Sequence, residues 1–309
     1  MLVAGISLKQ LRSLIAVAEL RSMTAAAAAL NQTTPAIHSQ IRKLEDLVGR
    51  PLLERAPVGG GFVPTAAGTA MLRAARRIEA NLSQAEAEIA AQLRGFEGQV
   101  TLAVVSTAKY FAPRLVRMLR DTCPEIGVTL RVGNRESVIS DLDHGIADLA
   151  VMGRPPRRPL TRAEPLGPHP HGIVLPPDHP LAGADGFDPE ALLSETFVSR
   201  EEGSGTRILM MRYFDRLPAG HAPPMMSMSS NESIKQAVIA GLGIAFLSLH
   251  TVCDELASGR LVQLRGPGLP VMRQWYLVRL AGPDRTAAVQ RIGAAIAGLD
   301  GAYFPRLCA

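Results

Sequence analysis

The sequence predicts a multidomain α+β chain in three parts: an N-terminal winged helix-turn-helix, a long linker helix suited to dimerisation, and a two-lobed α/β domain. Three observations predict it. Two short helical patterns, separated by a tight polar turn, precede a Gly-rich tip between short extended runs. An apolar seam of helical period then crosses residues 65–95. From residue 98 onward, β-branched strand patterns alternate with helical ones, as in a parallel sheet.

The bulk properties bound the answer. A chain of 309 residues is long enough for two or three domains, and with 4% aromatics its cores must be mainly Leu, Val, Ile and Ala. Residues 1–77 hold ten Lys or Arg against four acids, a net of +6 in a chain of net +5. A basic quarter on a near-neutral body points to a polyanionic partner. Cys123, Cys253 and Cys308 are odd in number and widely spaced, which offers no disulfide framework or zinc spacing and fits a reducing cytoplasm. Lys9, Arg12 and Glu19 interrupt the first apolar run, so no targeting segment is read there. No stretch is long and apolar enough to span a bilayer. The expectation is a soluble, cytoplasmic chain with no membrane partner.

In residues 1–65, Ser7 and Gln10 form a capping box, and Leu8, Leu11, Leu14, Ile15 and Ala18 recur at helical spacing. An Ala-rich helix over about 24–30 breaks at Asn31-Gln32-Thr33-Thr34. Thr33 caps a third helix with Pro35 in its first turn. Ile37, Ile41 and Leu44 face its core side; His38, Ser39, Gln40, Arg42 and Lys43 face outward. Gly49-Arg50-Pro51 ends it, and residues 52–55 and 61–64 flank the Gly59-Gly60-Gly61 tip as a β-wing. A DNA major groove accepts such a polar-faced helix, and Arg55 on the wing can reach phosphate. The candidate DNA-contacting residues are Thr24, Thr33, Thr34, Pro35, His38, Ser39, Gln40, Arg42, Lys43 and Arg55.

In residues 66–95, Met71, Ala75, Ile78, Leu82, Ala85 and Ile89 step alternately by four and three, a heptad seam, with Arg76, Arg77, Glu79, Glu86 and Glu88 opposite. One apolar stripe needs a partner, and the same helix of a second subunit is the natural one. A dimer also suits two DNA half-sites.

Residues 96–309 begin after the break at Gly95-Phe96-Glu97-Gly98. Strands are predicted over 99–105, 128–132 and 148–152, with helices over 112–121 and 136–144. Gly153-Arg154-Pro155-Pro156 breaks the pattern. A second region has strands near 162–166, 172–175 and 196–199, and helices from about Thr206 and over 232–240. A strand over 274–280 and a helix over 286–299 return to the first lobe. Lobe I is therefore 98–160 with 268–300, and lobe II is 161–267.

In open α/β sheets, ligands sit outside the carboxyl ends of strands, where helix N-termini favour anions. Polar residues at these junctions are Ser106, Thr107, Asn134, Arg135 and Arg154 in one lobe, and Arg200, Glu201, Ser204, Thr206, Arg207, Asn231, Glu232 and Lys235 in the other. The candidate effector-binding residues are Ser106, Thr107, Asn134, Arg135, Arg154, Glu201, Thr206, Arg207, Asn231 and Lys235. Several converging cations would suit a small phosphorylated or polycarboxylate metabolite. For Ser106, Ser204 and Asn231, helix capping is the alternative role.

Residues 8–68 resemble the LysR-type DNA-binding domain. The resemblance is carried by Leu11, Leu14, Ser22-Met23-Thr24-Ala25-Ala26-Ala27, Leu30-Asn31-Gln32-Thr33-Thr34-Pro35-Ala36-Ile37, Gln40-Ile41-Arg42-Lys43-Leu44-Glu45, Leu52-Leu53-Glu54-Arg55 and Thr65-Ala66-Ala67-Gly68. The family implies the dimerising linker and a two-lobed, periplasmic-binding-protein-like effector domain. Thr34, Ser39 and Leu53 depart from the family's usual Gln, Arg and Phe, which leaves the base preference open. The effector region is similar to regulators of Calvin-cycle (RuBisCO) operons. That similarity lies in Val104-Val105-Ser106-Thr107-Ala108-Lys109-Tyr110-Phe111-Ala112-Pro113, Val132-Gly133-Asn134-Arg135-Glu136-Ser137, Met152-Gly153-Arg154-Pro155-Pro156, Gly203-Ser204-Gly205-Thr206-Arg207, residues 230–238 and Arg273-Gln274-Trp275-Tyr276. It implies a phosphosugar, a related phosphometabolite or a nicotinamide cofactor as effector, with no resident cofactor. It further implies a homodimer or tetramer on double-stranded DNA, with RNA polymerase as a further partner. Effector binding would change lobe closure and DNA bending.

An enzyme is the rival class. Glu202-Gly203-Ser204-Gly205 lacks the G-x-S-x-G elbow, and Gly241-Leu242-Gly243-Ile244-Ala245-Phe246 lacks the third Gly of a dinucleotide loop and reads as a cap and turn. His169, His171 and His179 are expected in a Pro-rich loop without a firm carboxylate or Cys partner, which argues against a metal site. No catalytic and no metal-ligating residue is expected. A transport-type solute-binding protein would share the two lobes but has no use for residues 1–95.

Overall fold

The computed structural model describes residues 5–57, 60–183, 186–218, 222–282 and 286–307; Gly59 of the expected wing tip and Cys308 lie outside the described residues. The chain divides into two compact units, Met1–Glu86 and Ala87–Ala309.

The first unit opens with helix α1 (Leu8–Leu20). Its capping box is complete: Gln10 N–H donates to Ser7 Oγ, and Ser7 N–H donates to Gln10 Oε1 at 2.7 Å. Helix α2 (Met23–Ala29) starts one residue before the expected Thr24, because the Ser22 hydroxyl caps it. Asn31 then takes a left-handed φ of 51° and turns the chain into α3 (Thr34–Val48), capped by Thr33. Strands β1 (Leu53–Arg55) and β2 (Phe62–Pro64) pair antiparallel as the wing. The last element is α4 (Ala66–Leu93). Leu11, Leu14, Val17, Ala26, Ile37, Ile41 and Leu44 form the core with Leu52, Leu72 and Ala75.

The linker seam divides in two. Met71 and Ala75 pack into the winged core together with Leu72, and are not open to a second helix. Two residues expected on the free face instead fasten α4 to α1, by Arg76–Glu19 at 3.0 Å and Arg12–Glu79 at 2.9 Å. The remainder, Ile78, Leu82, Ala85 and Ile89, is exposed.

The second unit runs β3 (Gly98–Val105), a 3-10 turn over Ser106–Tyr110, α5 (Ala112–Thr122), β4 (Ile126–Gly133), α6 (Arg135–His144) and β5 (Leu149–Met152). It continues with β6 (Thr161–Leu175), α7 (Pro189–Ser194), β7 (Phe197–Arg200), α8 (Gly205–Phe214), β8 (Met225–Met228), α9 (Asn231–Ile239) and β9 (Ala245–Ser248). A turn over Leu249–Thr251, α10 (Cys253–Ala257), β10 (Val262–Gln263), β11 (Val271–Leu280) and α11 (Ala287–Gly298) complete it. In lobe I, β3 lies parallel between β4 and β5, and β11 returns antiparallel beside β5. The sheet is thus mixed, where the strand–helix alternation predicted a parallel one.

The two strands expected near 162–166 and 172–175 are one strand, β6. Its first part pairs with β11, and its end pairs with β9 and β10 in lobe II, so β6 belongs to both lobes. Pro165, Pro168 and Pro170 made it read as broken. Among the described residues this part of β6 is bonded on one side only, by β11, so a missing N–H is tolerated. The other strands of lobe II, β7 and β8, pair in parallel, with Phe197 bridging Ile244 beside β9. A buried core of β3, α5, α11, Trp275 and Tyr303 fills lobe I; Leu192, Phe197, Phe214 and Phe246 anchor lobe II.

Candidate functional site

The candidate DNA-recognition face is built by α3. Ile37, Ile41 and Leu44 are buried, so the intervening His38, Ser39, Arg42 and Lys43 are exposed, with Gln40 half-buried. Thr24, Thr33, Pro35 and Arg55 are also exposed, and Thr34 is half-buried. Arg55 lies over the Phe62 ring at 5.3 Å, a cation–π contact that holds the wing cation in place. Glu45 ties the helix to the wing: its carboxylate accepts from the N–H of Leu52 at 2.8 Å and of Leu53 at 3.3 Å.

The second unit contains a cavity of about 150 Å³. It forms where β3, β4, β5 and β7 end and α8 begins. Val105, Ser106, Thr107, Asn134, Arg135, Gly153 and Arg154 line it from lobe I. Lobe II supplies Arg200, Ser204, Gly205, Thr206, Ile208, Leu209 and Arg212. Strands β6 and β11 supply His169, His171 and Arg273. Ser204 occupies the N-cap of α8 but makes no side-chain cap, so its hydroxyl and the first-turn amides remain for a ligand. Asn134 does cap α6, accepting from Ser137 N–H at 2.8 Å.

The cavity is strongly cationic. Arg135, Arg154, Arg212 and Arg273 all line it, and none has a carboxylate partner among the described residues. Arg135 donates instead to the carbonyls of Arg154 and Pro155. Burial, then repulsion from Arg154 and Arg212, pushes the Arg135 guanidinium below its ordinary pKa. Arg154 is lowered first by Arg212, then by burial, Arg157 and Arg273. Like charges crowded without counter-charge raise the energy of the empty site, and an anion relieves it.

Six of the ten expected effector residues meet here: Ser106, Thr107, Asn134, Arg135, Arg154 and Thr206. The other four stand outside the lining. Glu201 holds Arg200 through two 2.7 Å bonds. Arg207 turns back onto Ser199 Oγ and the Arg200 carbonyl, both at 3.1 Å. Asn231 accepts from Arg200 at 2.8 Å, and Lys235 is buried between Glu232 and Glu255 at 3.1 and 3.0 Å. These four hold Arg200 and Glu232, and it is those two that reach the other lobe: Arg200 donates to Ser106 Oγ at 3.0 Å and Tyr110 OH donates to Glu232 at 2.5 Å.

Sequence reasoning missed Arg212, Arg273 and the role of His169 and His171. Arg212 had a signal: Gly205, Ile208, Leu209 and Arg212 are spaced as one helical face, and all four line the cavity. Arg273 and His169 are register partners across β11 and β6, which no local pattern reveals. His169 and His171 lie on strand β6 and not in the expected loop. His169 stacks on Trp275 with ring centroids 3.6 Å apart, while His179 pairs elsewhere with Glu195 at 3.5 Å. No cluster of three metal-capable side chains exists among the described residues.

Comparison with known proteins agrees across nearly the whole chain. Residues 8–69 match the model of the bacterial regulatory helix-turn-helix protein, lysR family, and residues 93–298 match that of the LysR substrate binding domain. The chain is 58% identical over 301 residues to the HTH-type transcriptional regulator CbbR of Cereibacter sphaeroides, covering 97% of each. It is 44% identical over 280 residues to the RuBisCO operon transcriptional regulator of Allochromatium vinosum, covering 90% of this chain and 91% of that one. The regulatory domain of Synechocystis PCC6803 CcmR, solved in complex with 2-PG, superposes with a TM-score of 0.62 at 34% identity, covering 66% of this chain and 98% of that one.

Proposed function

Because the chain belongs to the LysR family of transcriptional regulators, we propose that it controls a RuBisCO operon in response to a small phosphorylated metabolite held in the arginine-lined cavity. The single observation that carries the effector reading is the set of four arginines, Arg135, Arg154, Arg212 and Arg273, that share one cavity with no carboxylate partner among the described residues. A phosphate supplies the missing charge and enough acceptor oxygens for several guanidinium forks. The open N-terminus of α8 adds amide donors of the same sign. Related proteins support the reading: relatives are named for the RuBisCO operon, and the CcmR domain was solved with 2-PG. A cavity of about 150 Å³ favours a small phosphometabolite over a nicotinamide dinucleotide, because larger, drug-sized ligands occupy pockets of roughly 300–1,000 Å³.

On the DNA side, α3 enters the major groove and the wing cation Arg55 rests on phosphate. Two subunits present two such helices, joined through the exposed stripe of α4. Effector binding acts only through its different affinity for two conformations of the regulator.

Thermal unfolding of the full chain tests the effector reading, with 2-phosphoglycolate, ribose 5-phosphate and non-phosphorylated dicarboxylates as probes. A ligand at a hundred times its Kd adds about 2.7 kcal/mol of stability. A stabilising shift with phosphorylated probes, abolished by Arg154→Ala and by Arg212→Ala, is the expected result. Stabilisation by a non-phosphorylated acid alone would overturn the effector assignment.

A further inference from the structure

The cavity contains two polar side chains that its arginines do not explain. His169 and His171 lie on the same face of β6, are 3% and 4% exposed, and both line the cavity. Their rings are fixed by aromatic packing. His169 stacks on Trp275, the two histidine rings are 4.1 Å apart, and His171 lies parallel to Phe246 at 5.9 Å. Fixed rings present fixed ring nitrogens.

The hydrogen bonds set what those nitrogens offer. His171 Nδ1 is 3.2 Å from the His169 carbonyl oxygen, which can only accept. Nδ1 therefore carries the proton, and Nε2 of the neutral ring is left as an acceptor. Burial keeps that ring neutral, lowering its pKa from 6.5 to about 3. His169 bonds Ser248 Oγ through Nε2 at 3.0 Å, while its Nδ1 is buried with no partner. The Gly153 backbone, at the cavity wall, packs closely against that atom; a β-carbon there would lie 2.7 Å from Nδ1.

An acceptor beside an anion-binding cluster has a definite chemical meaning. Carboxylate oxygens, and those of a fully ionised phosphate ester, only accept, so neither bonds His171 Nε2 once the pH stands well above the ester's second pKa of about 6. A hydroxyl can donate to it. Resting on the reading of this cavity as a phosphometabolite site, we propose that His171, positioned by His169, is a specificity-determining residue that accepts a hydrogen bond from a hydroxyl of the effector. The class selected is a hydroxylated phosphate ester, such as a sugar phosphate, over a hydroxyl-free phosphorylated acid.

Calorimetric titration of the full chain tests this. The probes are ribose 5-phosphate, glycerol 3-phosphate and fructose 1,6-bisphosphate on one side, and 2-phosphoglycolate and ethyl phosphate on the other. The wild type binds the best hydroxylated probe at least about tenfold tighter than either hydroxyl-free one, a margin typical of one hydrogen bond whose loss leaves a buried group unpaired. His171→Leu removes that margin, read as the ratio of the two affinities within the variant; His171→Gln, which keeps an acceptor, restores part of it. A second measurement needs no variant. The ¹⁵N signal of His171 Nε2 shifts on adding the hydroxylated probe and stays in place with ethyl phosphate at about pH 8, where the ester, with a second pKa of about 6, carries no O–H. Equal loss for both probe classes in His171→Leu, or an unmoved Nε2 signal, overturns the proposal while leaving the phosphate site standing. Failure of every phosphorylated probe to bind the wild type removes the site itself and the proposal with it.

Discussion

At Gly68 a β-carbon would stand 1.9 Å from the carbonyl oxygen of Leu52. The first turn of α4 therefore presses directly on the backbone that leads into the wing, where Thr65 Oγ1 donates to the Pro51 carbonyl at 2.8 Å and accepts from Gly68 N–H. Gly68→Ala is expected to destabilise the first unit by about 1–3 kcal/mol through overpacking, read by far-UV urea titration. The buried histidines set a pH dependence. His171 and His250 are lowered from 6.5 to about 3 and about 4, and His169 well below 6.5, in each case chiefly by burial. The folded state holds them neutral while the unfolded chain protonates below 6.5. Their contribution to stability is thus complete above about pH 6.5 and is lost as the pH falls toward 4 and then 3. Trp275, the chain's single tryptophan, stacks on His169, so its fluorescence reports this directly. Its urea midpoint is expected to drop between pH 7 and pH 5; a midpoint constant over that interval would contradict the burial of these rings. On the DNA face, Arg42→Ala is expected to weaken binding by about 1–3 kcal/mol if it reads a base, or to lower the salt slope by about one if it meets phosphate. Affinity and slope both equal to wild type would remove Arg42 from the interface.

Among the elements, α4 divides its apolar residues between two tasks. Met71, Leu72 and Ala75 close the winged core, whereas Ile78, Leu82 and Ile89 are 40%, 39% and 60% exposed. Leu82→Asp is expected to lower the sedimentation mass of the full chain to that of a monomer, because a charge in a heptad seam has no partner. An unchanged mass would place the subunit contact elsewhere. The elements also mark how far the sequence could be read. The caps at Ser7 and Thr33 and the core face of α3 were legible because each depends on residues within one or two turns. The seam on α4 was legible as a stripe, but which part the chain would use itself depended on contacts with α1 more than fifty residues away. The continuity of β6 was hidden by its three prolines, whose tolerance depends on pairing with β11, a strand about a hundred residues later. Junction residues such as Ser106, Arg135 and Arg154 could be placed at the cavity because strand ends converge by topology. Arg273 and His169 could not, since they meet through register. Glu201 and Lys235 carried the right chemistry at junctions, yet buried pairing with Arg200 and Glu255 absorbs their charge.

For the whole molecule, the claim is that an anion in the cavity alters the behaviour of the DNA-binding unit. The scaffold that would be displaced joins the lobes: Arg200 bridges Ser106 and Asn231, and Tyr110 bonds Glu232. Coupling between two sites is reciprocal, so an effector that changes DNA affinity must bind DNA-loaded protein with an affinity changed by the same factor. The most direct test is gel mobility of the full chain on a circularly permuted RuBisCO-operon promoter fragment, titrated with phosphorylated and non-phosphorylated metabolites. A phosphorylated metabolite is expected to change the affinity or the bend angle, and Arg154→Ala to abolish the change without weakening DNA binding in the absence of metabolite. Mobility unchanged by every phosphorylated metabolite, or a response that survives in Arg154→Ala, would contradict that claim.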